Sequence, residues 1–129
     1  MTHDPVREFI RAFNERDLDG FVSVLDPEIE LHSGRGLRRG RAAARLWATR
    51  APGGVQQTIE LEQLYEDADR VVALIRRAWH WEEDGSFAHA EEMAWSFELR
   101  EHKVRVWRPF DNRAEALRAG GFDHGVGAQ

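Results

Sequence analysis

Arg77, His89 and Glu91 are three side chains able to hold or move a proton, and they flank the turn-like run Glu83-Asp84-Gly85. Whether they meet depends on register, because a slip of one residue sends every side chain of a strand to the opposite face. Val71, Ala73, Ile75, Arg77, Trp79 and Trp81 share one face of the first segment. Phe87, His89, Glu91, Met93, Trp95, Phe97 and Leu99 share one face of the second. A two-residue Asp84-Gly85 turn would put these sets on opposite faces. A three-residue loop Glu83-Asp84-Gly85, with Gly85 in the left-handed position of a bulge, unites them and is the expected arrangement. It sets Trp81 against Phe87, Trp79 against His89, Arg77 against Glu91 and Ile75 against Met93.

In that register a carboxylate stands beside a guanidinium on an aromatic surface. Glu91 then reads as a general base with Arg77 as its orienter or as an anion clamp, or the two form an inert ion pair. His89, beside Trp79 on the same face as Glu91, suits acid–base work near neutral pH, or rests hydrogen-bonded at the cavity rim. No metal is expected, since no second histidine at helical spacing and no third ligand accompany it. His32 reads as a structural residue opposite Leu31, His80 as an outer-face residue, and His3, His102 and His124 as surface positions. The absence of cysteine excludes thiolate nucleophiles, disulfides and Cys-based metal sites. Trp47, Trp79, Trp81, Trp95 and Trp107 supply either an aromatic-lined cavity for a planar or terpenoid-like ligand or a cone filled by its own rings. Trp107 turns inward only if Arg100-Glu101-His102 forms a three-residue loop.

These side chains need a sheet, and the pattern from Val55 onward provides one. Segments near 56–66, 70–82, 87–100 and 103–110 alternate between turn-like breaks and read as an antiparallel meander. Ahead of it, Asp4 caps a helix carrying Val6, Phe9, Ile10 and Phe13 on one stripe. Asp17 caps a second, with Leu18, Phe21, Val22 and Leu25 inward before Pro27 stops it. Glu28 to Ser33 alternates as a short strand, Gly34 to Gly40 reads as a flexible basic loop, and a third helix spans about Arg41 to Thr49 with Leu46 and Trp47 inward. Asn112 and Glu115 stand at capping-box spacing before a last short helix that Gly120-Gly121 ends.

The fold class is therefore α+β: a strongly curved, mostly antiparallel mixed sheet packed on three N-terminal helices, with a short C-terminal helix. Residues 1–121 form one domain and 122–129 a loose tail. The outer face, with Ala78, Ala88, Ala90, Ala94, Ser96, Val72 and Leu74, is smooth and uncovered, which predicts a homodimer through that face. A formal charge of −5 argues against nucleic acid, and the short apolar runs argue against a membrane span, so a cytoplasmic protein is expected. Arg35, Arg38, Arg39, Arg41 and Arg45 form a local basic cluster, either a gate for an acidic ligand or a solvated surface.

The run Phe13-Asn14-Glu15-Arg16-Asp17-Leu18-Asp19-Gly20 resembles the helix-hairpin signature of the SnoaL-like polyketide cyclase and ketosteroid isomerase superfamily, also called nuclear transport factor 2-like. So do Leu25-Asp26-Pro27-Glu28-Ile29-Glu30-Leu31-His32 and Gly40-Arg41. Val106-Trp107-Arg108-Pro109-Phe110, then Arg113 to Leu117 and Gly120-Gly121, match its last strand and helix. The resemblance implies a cone with one apolar pocket, without cofactor, for a small hydrophobic or aromatic molecule. Carried over by position, the isomerase's catalytic Asp falls on Ser33, its oxyanion Tyr on Phe9, its protonated Asp on Trp95 and the helix-three Tyr on Trp47, so that isomerase chemistry is disfavoured. Superfamily epoxide hydrolases combine an Arg with acidic residues, yet no second acid is placed beside Glu91. Two functions stay open: a pocket lined by Phe9, Phe13, Ser33, Trp47, Trp79, Trp95 and Trp107 with other isomerase, cyclase or hydrolase chemistry, and a non-catalytic dimerisation or ligand-binding domain.

Overall fold

A computed structural model of the chain describes residues 4–33, 36–49, 55–81 and 83–122. Helix α1 (Pro5–Glu15) starts where the Asp4 carboxylate accepts hydrogen bonds from the Val6 and Arg7 N–H groups, and ends at Arg16 in the left-handed conformation. Asp17 caps α2 (Leu18–Ser23) by accepting from the Gly20 N–H. Arg11 bridges Glu8, Glu15 and Asp17 across the corner. The corner angle is thus set by capping and by a shared cation, and it turns Phe9 and Phe21 onto each other at 4.8 Å.

The strands are β1 (Leu25–Ser33), β2 (Gly36–Arg39), β3 (Val55–Asp67), β4 (Arg70–Trp81), β5 (Phe87–Arg100) and β6 (Lys103–Phe110), with α3 (Arg41–Thr49) after β2 and α4 (Arg113–Ala119) after β6. They form one mixed, curved, unclosed sheet in the order β2-β1-β6-β5-β4-β3, antiparallel except for β1 beside β6. Extra residues sit at Glu62 on β3, Ala88 on β5 and Arg105 on β6. Each such bulge bends its strand and adds twist, which coils the ribbon into a cone. The concave side holds the main core, including Ile29, Leu31, Val71, Ile75, Met93, Trp95, Phe97 and Trp107 against Val6, Phe9 and Ile10 of α1.

Four expectations need correction. Leu25 begins β1 instead of ending α2, since the second helix stops at Ser23. The basic segment after Gly34 is no loose loop from Gly36 on: it returns as β2 and pairs Leu31 with Arg38. Leu46 is 53% exposed, and α3 packs through Ala44 and Ala48 instead. The outer face is not bare either, because α4 covers Val72, Leu74 and Ala94 with Ala116 and Leu117. Arg113 fastens that helix by donating to the Ile75 and Met93 carbonyls and pairing with Glu62. Phe122 packs on Tyr65 at 5.8 Å, and residues 123–129 lie outside the described part of the tail.

Candidate functional site

The β4–β5 ribbon has the expected pairing over most of its length: Ile75 opposite Met93, Arg77 opposite Glu91, Trp79 opposite His89. Gly85 has φ +72°, the left-handed conformation that favours glycine. The tip differs. The Trp81 N–H donates to the Ser86 carbonyl and the Gly85 N–H to the Trp81 carbonyl, and Ala88 becomes the bulge. Phe87 consequently pairs with His80 and lies on the outer face, with the Arg76 guanidinium 5.8 Å above its ring. Trp81 therefore does not face Phe87, and both are exposed.

Arg77 Nη2 donates to Glu91 Oε1 at 2.7 Å, and the same guanidinium lies 4.6 Å from the centre of the Trp79 ring. Their side chains are 28% and 37% exposed, which puts the pair at the edge of the concave face, short of its interior. His89 is exposed and stacks on Trp79 with ring centres 5.3 Å apart. Glu91, Arg77, Trp79 and His89 thus form one patch in which a carboxylate, a cation and two rings touch in succession. Water reaches this patch, so its Coulomb attraction is weak and its groups remain free to meet a ligand.

Deeper in the cone the side chains interlock. Trp95 meets Phe9 and Phe13 edge to face, each at 5.9 Å, and Trp107 at 5.3 Å. Trp47 reaches in from α3 to Phe13 at 5.5 Å and to Trp107 at 4.9 Å. Phe9, Trp95 and Trp107 are buried, while Phe13 and Trp47 are only half-buried. The base of the cone is therefore packed by its own rings, and four residues of β5, about 14 Å of strand, separate Trp95 from Glu91. Trp107 points inward without a three-residue loop. A two-residue turn with Glu101 and His102 both left-handed is followed by the bulge at Arg105, which restores the phase that pairs Trp107 with Phe97. Ser33 stands apart at the β1–β2 turn, where its hydroxyl donates to the Gly36 carbonyl.

Two polar features that position this face escaped the sequence reading. The Asn14 carboxamide accepts from the Ile59 N–H at 2.7 Å and donates to the Ile59 carbonyl at 2.8 Å, acting as one extra rung beside edge strand β3. Its place on α1, one residue after Phe13, was the only signal. Asp26, buried ahead of Pro27, receives both Nε and Nη2 of Arg100. The Arg100 hydrogen bonds hold its carboxyl below the usual carboxylate range, against the burial that would raise it. On the outer face of β1, burial pushes Glu30 up, but His32 and Arg105 outweigh it and leave its carboxyl lowered. Among the described residues no group of three or more His, Asp or Glu is placed to hold a metal ion, and no helix is long and apolar enough to cross a membrane.

A family model described as a SnoaL-like domain matches residues 6–107. No curated protein matches the chain. Among solved structures, a Catenulispora acidiphila protein with a ketosteroid isomerase-like fold, in complex with trimethylamine, is 14% identical over 94% of this chain and 95% of its own, with a TM-score of 0.73. An epoxide hydrolase of M. tuberculosis, LEH-like, is 20% identical over 95% and 93%, with a TM-score of 0.70. An NTF2-like protein of unknown function from Burkholderia pseudomallei is 20% identical over 93% and 98%, with a TM-score of 0.73. At such identities the likeness is one of fold.

Proposed function

From the premise that the chain belongs to the SnoaL-like domain family, we propose that its concave face binds a small hydrophobic or aromatic molecule, with Arg77 and Glu91 as the polar groups that orient it and act on it. The observation that carries this reading is the 2.7 Å ion pair laid against Trp79 at the open edge of an aromatic face. Rings supply affinity by area and stacking, and a few charged groups at one end fix the pose. In a reaction Glu91 takes a proton, Arg77 holds it in place or steadies developing negative charge, and exposed His89 exchanges protons with water. Phe9 and Ser33 offer neither the acid nor the carboxylate that steroid isomerisation requires, so the chemistry is of another isomerase, cyclase or hydrolase type. The epoxide hydrolase of the same fold supports a hydrolytic variant.

A thermal-shift screen against small aromatic and terpenoid compounds tests the proposal. Hits should lose their shift in Arg77→Ala and keep it in Arg118→Ala, which alters an exposed residue of α4. Glu91→Gln should abolish turnover of a substrate among them, and unchanged turnover would refute Glu91 as base.

A second reading, a dimerising domain without catalysis, is favoured by the part of the outer face that α4 leaves open. There half-buried Ala90 pairs with Ala78, itself only 6% exposed, beside exposed Phe87. Small side chains let two sheets approach closely, so a homodimer through this strip is the proposed assembly. Ala90→Arg should give monomers by light scattering. In that case Glu91→Gln leaves ligand affinity unchanged.

A further inference from the structure

On the face of the sheet opposite the cone, the end of α4 borders a hollow of about 190 Å³ whose lining includes Arg70, Ser96, Glu98, Arg108, Phe110 and Gly120. Strand register explains why these residues meet. Ser96 stands opposite Val72 on one side and Arg108 on the other, Arg70 stands opposite Glu98, and Phe110 opposite Ala94. Directly paired residues share a face, and Val72 and Ala94 mark this one as the outer face that α4 covers. Gly120 is buried at the helix side, where a Cβ would stand 2.8 Å from Val72 Cγ2, so the end of α4 lies directly on the sheet. Three side chains in the hollow can donate hydrogen bonds, and two of them have no partner. Arg108 donates to Glu98 at 3.0 Å. Arg70 stands between Asp67 on β3 and Glu98 on β5, yet among the described residues its guanidinium makes no ion pair or hydrogen bond. Its Nη1 lies instead toward the end of α4, 3.5 Å from where a Cβ on Gly121 would be. The half-buried Ser96 hydroxyl likewise has no partner among the described residues.

We propose that this hollow is a second binding site, for a small monocarboxylate on an apolar body, with Arg70 and Ser96 as its free donors and Arg108 on the far side. A guanidinium only donates, and its planar fork matches the two oxygens of a carboxylate. Charge sets the valence of the guest. Two guanidiniums against the single Glu98 carboxylate leave one positive charge in the lining, which a monoanion balances, whereas a phosphate monoester would bring its second charge against Glu98. Size sets the body. A volume of about 190 Å³ lies below the roughly 300 Å³ at which drug-sized sites begin, so it suits a single ring or a short chain. Phe110 and Ala119 give that body an apolar wall. Because Arg77 and Glu91 lie on the other face of the same strands, this site stands or falls independently of the concave one.

The experiment titrates the full chain, labelled with 15N, with sodium benzoate, benzamide and phenyl phosphate at constant ionic strength and about pH 8, where the phosphate is a dianion. Benzoate should move the backbone amide resonances of Ser96, Phe97 and Gly120. Benzamide, its neutral match, should leave them in place, and phenyl phosphate should bind no more tightly than benzoate. Arg70→Gln should weaken benzoate about tenfold, the effect of losing one charge-assisted hydrogen bond. Arg76→Gln, which removes the same charge from the same face of β4 outside the hollow, should change nothing. If Arg70→Gln does not fold, the comparison of benzoate with benzamide on the wild-type chain decides alone. Equal responses to those two probes, an unchanged affinity in folded Arg70→Gln, or tighter binding of phenyl phosphate would overturn the assignment. So would benzoate shifts confined to Trp79, His89 and Glu91, which would place the anion on the concave face only.

Discussion

The two ends of the β4–β5 ribbon share residue types, pleat and face, yet they have opposite fates. Toward β5's end, Val71, Ala73, Ile75, Met93, Trp95 and Phe97 are buried. Toward the loop at Gly85, Arg77 and Glu91 are half-buried, His89 is exposed and Trp81 is 49% exposed. Alternation decides which face a side chain takes, but it does not decide how far along that face a helix reaches. Helices α1 to α3 cover the first end and leave the second to solvent. A tryptophan at one end is core, and at the other it is available surface.

The largest test of that contrast compares tryptophans at the two ends. Trp95→Ala should cost about 4 kcal/mol in chemical denaturation, as removal of a buried aromatic side chain does, whereas Trp81→Ala should fall within about 0.5 kcal/mol of wild type. Similar costs for the two would mean that the loop end is covered in solution and would break the comparison.

Asn14→Ala asks what keeps the covered end in register with its helix. The substitution strips both backbone partners from Ile59, a core residue that is 2% exposed. A loss of about 2 kcal/mol is expected, together with faster hydrogen exchange at the Ile59 amide. An unchanged exchange rate would show that edge strand β3 is held by its pairing with β4 and by packing, without the Asn14 bonds.

Acid should loosen the covered end through Asp26. Its folded carboxyl titrates below the unfolded value of about 3.9, so its stabilisation is complete above that value and is lost as pH falls through the folded pKa. Asp26→Asn should therefore lower stability at neutral pH and flatten the decline of stability below about pH 4. A variant with the same acid slope as wild type would assign the decline to other carboxylates.

Much of this architecture was legible from residue types. Capping at Asp4 and Asp17, the 3.6-residue stripe of α1 and the pairing of Arg77 with Glu91 all follow from local patterns that the structure keeps. What escaped were features with no local mark. The bulges at Ala88 and Arg105 insert ordinary residues, and the left-handed Glu101 lacks the Gly or Asn that advertises such a turn. Trp107 thus reached the concave face by a bulge instead of a longer loop, while Phe87 left that face for the same kind of reason. The chemistry of the patch was legible as a constellation, but its depth was not, since exposure there depends on where α1 and α3 stop.

The smallest expected effect is the one that bears most on function. A double-mutant cycle on Arg77→Ala and Glu91→Ala should give a coupling below about 1 kcal/mol, because both side chains are more than a quarter exposed and such pairs are screened by water and salt. Raising the salt concentration should shrink it further. A pair that adds so little to folding leaves the stability argument for its presence weak, and its groups can change partners at small cost. A coupling of several kcal/mol that ignores salt would instead make it a structural clamp between β4 and β5, and the loop end would then be core in energetic terms despite its exposure.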